Sequence, residues 1–163
     1  GDHGAAIVSA RSDLKLEASI QSDTQSLSEL VQIMLRVCPD IHCMRDATRG
    51  GVAAVLNELA DASRCTMYVN EKSIPVSPDV RGVCEILGFD PLYLANEGKL
   101  IAIVPESAAE LVLCAMRQHP SGAGSVVIGQ VVDQQGSAVV METQFGAKRV
   151  INRLVGEQLP RIC

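Results

Sequence analysis

With 163 residues the chain is long enough for one well-buried core and requires no second domain. Hydrophobic residues at 47% and charged residues at 20% exclude disorder, and no apolar run approaches the length of a membrane span. A net charge of −5, an aromatic content of 2% and the lack of Trp argue against general nucleic-acid binding.

The chain opens Gly1-Asp2-His3-Gly4, without an initiator methionine or a signal-peptide pattern, and so reads as a fragment of something longer or a processed product. Ala5 to Ala10 reads as an extended or strand-like entry, followed by a polar linker. Ser26 with Glu29 three residues on has the form of a capping box. It is followed by an apolar helical face of Leu27, Leu30, Val31, Met34, Leu35 and Cys38 that Pro39-Asp40 ends. Ile41 to Arg45 reads as a short strand. After the turn 46–51 comes a second helix with Val52, Val55, Leu56, Leu59 and Ala60 on one face.

Cys65 to Asn70 reads as a strand. Ser77-Pro78 is an N-cap followed by Pro at the first helical position, and Gly88 supplies the stop. Leu100 to Val104 is a continuous apolar strand, and Glu106 to Gln118 a helix closed by Pro120. Val126 to Val132 and Ser137 to Met141 are two strands flanking Asp133-Gln134-Gln135-Gly136, a hairpin-like connection. The periodicity fades after Lys148, which predicts a globular domain over 1–147 and a mobile tail over 148–163. Interleaved helices and strands with a hairpin predict an α+β domain with a mixed β-sheet flanked by helices.

Six cysteines (Cys38, Cys43, Cys65, Cys84, Cys114 and Cys163) show neither a C-x-x-C pair nor zinc-ligand spacing. Cys38, Cys84 and Cys114 fall on apolar helix faces, as reduced core thiols do in a reducing cytoplasm. Cys163 stands apart, because it is the last residue. Its own terminal carboxylate disfavours the thiolate and Arg161 favours it. From position alone it is either an accidental terminal cysteine or a thiol carried on a swinging tail.

Asp46-Ala47-Thr48-Arg49-Gly50-Gly51 lies between a predicted strand and a predicted helix. Gly50 and Gly51 allow backbone N–H groups to approach an anion, the helix N-terminus adds partial positive charge, and Arg49 adds a clamp. Asp46 or Thr48 is placed to cap the helix. The same spacing also suits a plain strand–helix turn. Asn96-Glu97-Gly98-Lys99 precedes the apolar strand at Leu100. Glu97 beside a glycine is either a general base with room for a substrate or part of a solvated turn. Asp2 and His3 make a second Gly-flanked polar cluster, while His42 and His119 read as surface residues.

Five segments carry a resemblance: Gly1 to Gly4, Arg45 to Gly51, Val80 to Gly88, Ala95 to Leu100, and Pro160-Arg161-Ile162-Cys163. Together, in this order, they resemble the C-terminal half of the HypE hydrogenase maturation factors. These are carbamoyl dehydratases of the aminoimidazole-ribonucleotide-synthetase-like (PurM-like) superfamily. The terminal Pro-Arg-Ile-Cys is the most specific element, whereas the Asp-x-Thr-x-Gly-Gly turn is shared across the superfamily. The resemblance implies that Cys163 is carbamoylated by a partner carbamoyltransferase, HypF. ATP then activates the amide oxygen, and dehydration gives a thiocyanate whose cyano group passes to iron on a HypC–HypD scaffold for the [NiFe] hydrogenase centre. It implies Glu97 as proton acceptor, and Asp46, Thr48, Arg49, Gly50 and Gly51 as the turn facing an inter-domain cleft. Asp2, His3, Asn96 and Lys99 would stand near that cleft, and Arg161 would steer the tail.

The same resemblance implies ATP and Mg2+, bound mainly by an N-terminal domain that this chain lacks, and a homodimer when full length. By itself this piece is then expected not to complete dehydration. Two competing readings are another PurM-like enzyme (a selenophosphate or aminoimidazole ribonucleotide synthetase) and a non-catalytic interaction module with an irrelevant thiol. The first leaves the terminal cysteine without a purpose.

Overall fold

The computed structural model of the protein describes residues 1–11 and 20–153. The described residues form an α+β fold with five α-helices, a two-stranded sheet and a mixed four-stranded sheet. Asp2–Arg11 is a helix, α1, rather than the extended or strand-like entry expected over Ala5 to Ala10. Alanine is the best helix former and Asp2 sits in the first turn, where a carboxylate favours the helix. Packing completes the case: Ala5 is fully buried beside Val80, Cys84 and Leu94.

Helix α2, Ser28–Val37, begins two residues after the expected capping box, and no side chain caps it. Ser26 Oγ pairs with Ser28 Oγ at 3.0 Å instead, and Glu29 reaches across to His119 Nε2 at 3.3 Å. The buried face of α2, Leu30 and Met34, and Cys38 just past its end pack with Val112 of helix α5, Ala109–Arg117. The two helices cover a short antiparallel pair, β1 (Cys43–Asp46) and β3 (Leu100–Ile103), whose register sets Cys43 opposite Ile103 and Asp46 opposite Leu100. Glu106–Ala108 forms a 3-10 turn leading into α5, and Cys114 is exposed on that helix rather than on its apolar face.

Helix α3, Gly51–Ser63, presents Ala53, Leu56 and Ala60 to the larger sheet. That sheet runs in the order β4, β2, β5, β6. β2 (Cys65–Asn70) has the bounds expected from sequence. β4 (Gly129–Gln135) and β5 (Val139–Glu142) are both strands, but the hairpin is wrong: β2 lies between them, antiparallel to β4 and parallel to β5. The physical reason is burial. Met67 and Val69 of β2 share the inner face with Val139 and Met141 of β5 under α3, a contact that a β4–β5 hairpin would forgo. β6 (Lys148–Val150) continues the sheet beside β5, and Ile151 is 1% exposed. The ordered core therefore runs through the boundary expected at 147. Asn57 Nδ2 fixes that end, donating to the Ile151 carbonyl at 3.0 Å and the Ala53 carbonyl at 2.8 Å.

Helix α4, Pro78–Leu87, matches its sequence signals. Ser77 Oγ accepts the Val80 N–H at 3.3 Å, Pro78 opens the helix, and Gly88 ends it in the left-handed region. Among the described residues no helix is long and apolar enough to cross a membrane.

Candidate functional site

β1 and β3 are neighbours, so the turn that leaves β1 and the segment that enters β3 meet at one end of the pair. Three hydrogen bonds stitch them, and a fourth braces the second segment from within. Ala47 N–H donates to the Lys99 carbonyl at 3.0 Å and Asn96 N–H to the Ala47 carbonyl at 3.0 Å. Asn96 Nδ2 donates to the Ala47 carbonyl at 3.0 Å and to the Leu94 carbonyl at 3.3 Å. Asn96, expected near a cleft, is 1% exposed in this chain, and its amide clasps the two segments together.

The 46–51 turn closes with Gly51 N–H donating to the Thr48 carbonyl at 2.9 Å. Gly51 has φ +61°, and a Cβ there would stand 2.5 Å from the carbonyl oxygens of Leu92 and Leu94. Only glycine fits. Gly50 is left-handed as well and precedes α3, which no side chain caps. Asp46 and Thr48 thus do not serve as the expected caps. Asp46 is exposed and lies 3.9 Å from Arg45 Nε, while Arg45 reaches Glu58 at 3.0 Å. Arg49 is exposed beside the uncapped helix start. A helix start that no side chain caps, with an arginine two residues before it in sequence, has the residue types that suit a phosphate or carboxylate.

On the other side, Lys99 Nζ holds two carboxylates, Asp2 Oδ2 at 2.5 Å and Asp23 Oδ2 at 2.6 Å. Burial works against the Lys99 ammonium, but the hydrogen bonds to Asp2 and Asp23 outweigh it and push its pKa up. Burial likewise works against the Asp23 carboxylate. Lys99 and the Glu97 N–H outweigh that and hold it below its ordinary value. His3 Nδ1 lies 2.8 Å from Ser22 Oγ, which joins the start of α1 to the same segment.

Glu97 is half-buried in the middle of this assembly. Its N–H donates to Asp23 Oδ1 at 3.0 Å, and its carbonyl accepts from Gln25 N–H at 3.4 Å. The expected space over Gly98 is not open. A Cβ there would lie 1.8 Å from the Asp23 carbonyl oxygen, so the glycine makes room for the chain's own residues 23–25. Asp23 and Gln25 were not legible as site residues, because Ser22-Asp23-Thr24-Gln25 has the composition of an ordinary polar linker.

The structure thus brings Asp2, His3, Asp46, Thr48, Arg49, Gly50, Gly51, Asn96, Glu97 and Lys99 to one end of the β1–β3 pair. Arg161 and Cys163 lie outside the described residues. Two open hollows, of about 370 and 420 Å3, lie elsewhere, one on α2 around Gln32 and Arg36, the other beside Asn70, Ile128 and Lys148.

Residues 1–142 match the family of AIR synthase related proteins, C-terminal domain. Over all 163 residues the chain is 54% identical to carbamoyl dehydratase HypE of Azotobacter vinelandii and 50% identical to that of Rhodobacter capsulatus. It spans about half the length of these relatives, 48% in both cases. A crystal structure of the hydrogenase maturation protein HypE superposes with a TM-score of 0.92 at 47% identity, covering 100% of this chain and 53% of that one. HypE in complex with ATP gives 0.90 at 47% identity, over 100% of this chain and 50% of that one. HypE in a HypE–HypF complex gives 0.88 at 37% identity, over 94% and 50%. The chain therefore belongs to the family of AIR synthase related proteins, whose C-terminal domain it carries, and its likeness within that family is to the C-terminal half of HypE.

Proposed function

We propose that this chain is the cysteine-bearing half of an ATP-dependent carbamoyl dehydratase that makes the cyanide ligand of [NiFe] hydrogenases. The observation that carries the reading is the match of the whole chain, Cys163 included, at 50% and 54% identity to relatives named for that activity. In this reading Cys163 is the covalent carrier. Carbamoylation gives Cys–S–C(=O)–NH2. Transfer of the ATP γ-phosphoryl group to the amide oxygen, with loss of one nitrogen proton, gives an O-phosphorylated imidate and ADP. Glu97 takes the remaining nitrogen proton as the C–O bond breaks, and phosphate departs to leave Cys–S–C≡N. Phosphorylation matters because hydroxide is a very poor leaving group and phosphate a good one.

The chain's own geometry supports a half-site. The uncapped start of α3 with Gly50, Gly51 and Arg49 suits a phosphate, and Asp46 and Thr48 line the same turn. Glu97 is held by its backbone a few residues from the paired end of β3. Among the described residues no group of three or more His, Cys, Asp and Glu side chains is placed to hold a metal. In this reading Mg2+ and most of the ATP contacts would be held by an N-terminal domain, as the family resemblance implies. Arg161 would steer the tail as Cys163 alternates between this cleft and a partner. That partner is the carbamoyltransferase HypF, in keeping with a relative solved as a HypE–HypF complex. A HypC–HypD iron scaffold would then accept the cyano group, with the full-length protein acting as a homodimer. Buried free thiols at Cys38 and Cys84 suit a reducing cytoplasm.

The test is intact-mass measurement of full-length protein incubated with the carbamoyltransferase, carbamoyl phosphate and ATP. A carbamoyl adduct that converts to thiocyanate and vanishes in Cys163→Ala is expected. An adduct that persists in Cys163→Ala rejects the carrier role. Glu97→Gln should accumulate the carbamoyl form; normal conversion in that variant places the base elsewhere.

A further inference from the structure

The polar stretch before α2 contains the residue that organises the Glu97 segment. The Asp23 side chain is 11% exposed and uses both of its oxygens. Oδ1 accepts the Glu97 N–H at 3.0 Å, and Oδ2 accepts from Lys99 Nζ at 2.6 Å. One carboxylate therefore holds the chain on both sides of Gly98. Gln25 extends the clamp, donating its N–H to the Glu97 carbonyl at 3.4 Å and its Nε2 to the Gly98 carbonyl at 3.1 Å. A residue followed by glycine has little intrinsic hold on its conformation, because glycine visits most of backbone space. External bonds to both polar groups of the Glu97 backbone supply that hold. The charge balance keeps the clamp shut, since Lys99 favours the ionised form of Asp23, in which both oxygens accept.

We propose that Asp23 is a positioning residue for Glu97. By accepting the Glu97 N–H while anchored to Lys99, it fixes the backbone from which the Glu97 carboxylate reaches the carbamoyl nitrogen. The inference rests on the reading of Glu97 as proton acceptor. It assigns a role to a residue that touches no substrate.

Full-length Asp23→Ala, Asp23→Asn and Glu97→Gln variants test it, with conversion of the carbamoyl adduct to thiocyanate and hydrogen exchange at the Glu97 amide as readouts. In Asp23→Ala the rate at saturating ATP should fall roughly tenfold to a hundredfold, as misplacement of a catalytic group does. The ATP concentration for half-maximal rate and the extent of carbamoylation should stay as in wild type. The Glu97 amide should exchange faster. Asp23→Asn keeps an oxygen able to accept that N–H and should recover most of the rate. Equal losses in Asp23→Ala and Asp23→Asn that follow a loss of folded protein overturn the proposal, as does wild-type exchange at Glu97 in Asp23→Ala. If Glu97→Gln loses conversion while Asp23→Ala keeps it, the positioning role alone fails. If Glu97→Gln converts normally, the reading of Glu97 fails and the catalytic purpose of the clamp with it.

Discussion

The four-stranded sheet rests on Met67, Val69, Val139, Met141 and Ile151, each no more than 4% exposed, under α3. The loops at the end of the β1–β3 pair rest on Asn96, Lys99, Asp2 and Asp23, joined by hydrogen bonds and ion pairs. The first region is held by apolar area removed from water, which is non-directional and tolerant of small shifts. The second is held by directional bonds between segments far apart in sequence, which fix atoms more sharply but contribute less each. Stability should therefore reside mainly in the sheet, and the geometry that function needs in the loops.

The sharpest way to break this division is Met141→Ala. Met141 is fully buried, and the truncation should cost about 3 kcal/mol in urea denaturation. If the loss is below that of any loop variant, the sheet is not the main support. Gly98→Ala comes next. Its Cβ would meet the Asp23 carbonyl at 1.8 Å, so the 23–25 segment must be displaced, at about 2 kcal/mol. On the proposed function, its effect on thiocyanate formation in a full-length protein should exceed that of Met141→Ala, and the reverse order would dissolve the comparison.

Lys99→Met should cost less, and its cost should depend on pH. The Asp23 carboxyl titrates below its unfolded value of about 3.9, so its contribution is complete above that pH and fades as pH falls through the lower folded value. Lys99 titrates above about 10.4, so its contribution is complete below that pH and fades as pH rises through the higher folded value. Urea midpoints of Lys99→Met and wild type should thus differ most between about pH 4 and 10 and converge in acid. A difference that is constant down to strong acid would mean that the ion pairs are not its source. Arg45→Ala, which removes a solvated pair with Glu58, should change the midpoint by less than about 0.5 kcal/mol. A larger loss would give the surface pairs a weight that the comparison denies them.

The same contrast explains what could be read from the sequence. The α+β class, the bounds of β2 and the capped start of α4 were legible because they rest on local signals: alternation, Ser77-Pro78 and Gly88. The β4–β5 hairpin was a local reading of a connection whose strands find β2 instead, through burial that only the assembled sheet provides. Ala5 to Ala10 read as an extended or strand-like entry, while the burial of Ala5 against Val80 and Leu94 favours a helix. Glu97, the 46–51 turn and Lys99 were singled out by glycines beside charges. Asp23 was not, because nothing in Ser22-Asp23-Thr24-Gln25 says that it will lie on residues 97–99.

The central place of β2 also has a consequence for how the chain is made. Both strands that flank it come much later, since β4 begins at Gly129 and β5 ends at Glu142. During synthesis β2 therefore emerges with its two edges open and waits for most of the domain before either can close. Pairings so distant in sequence slow folding, and an open apolar strand is a template for other chains in the meantime. Helix α3, made just before β2, is the early cover for its inner face. A nascent chain that stalls between Asn70 and Gly129 should accordingly depend on a chaperone.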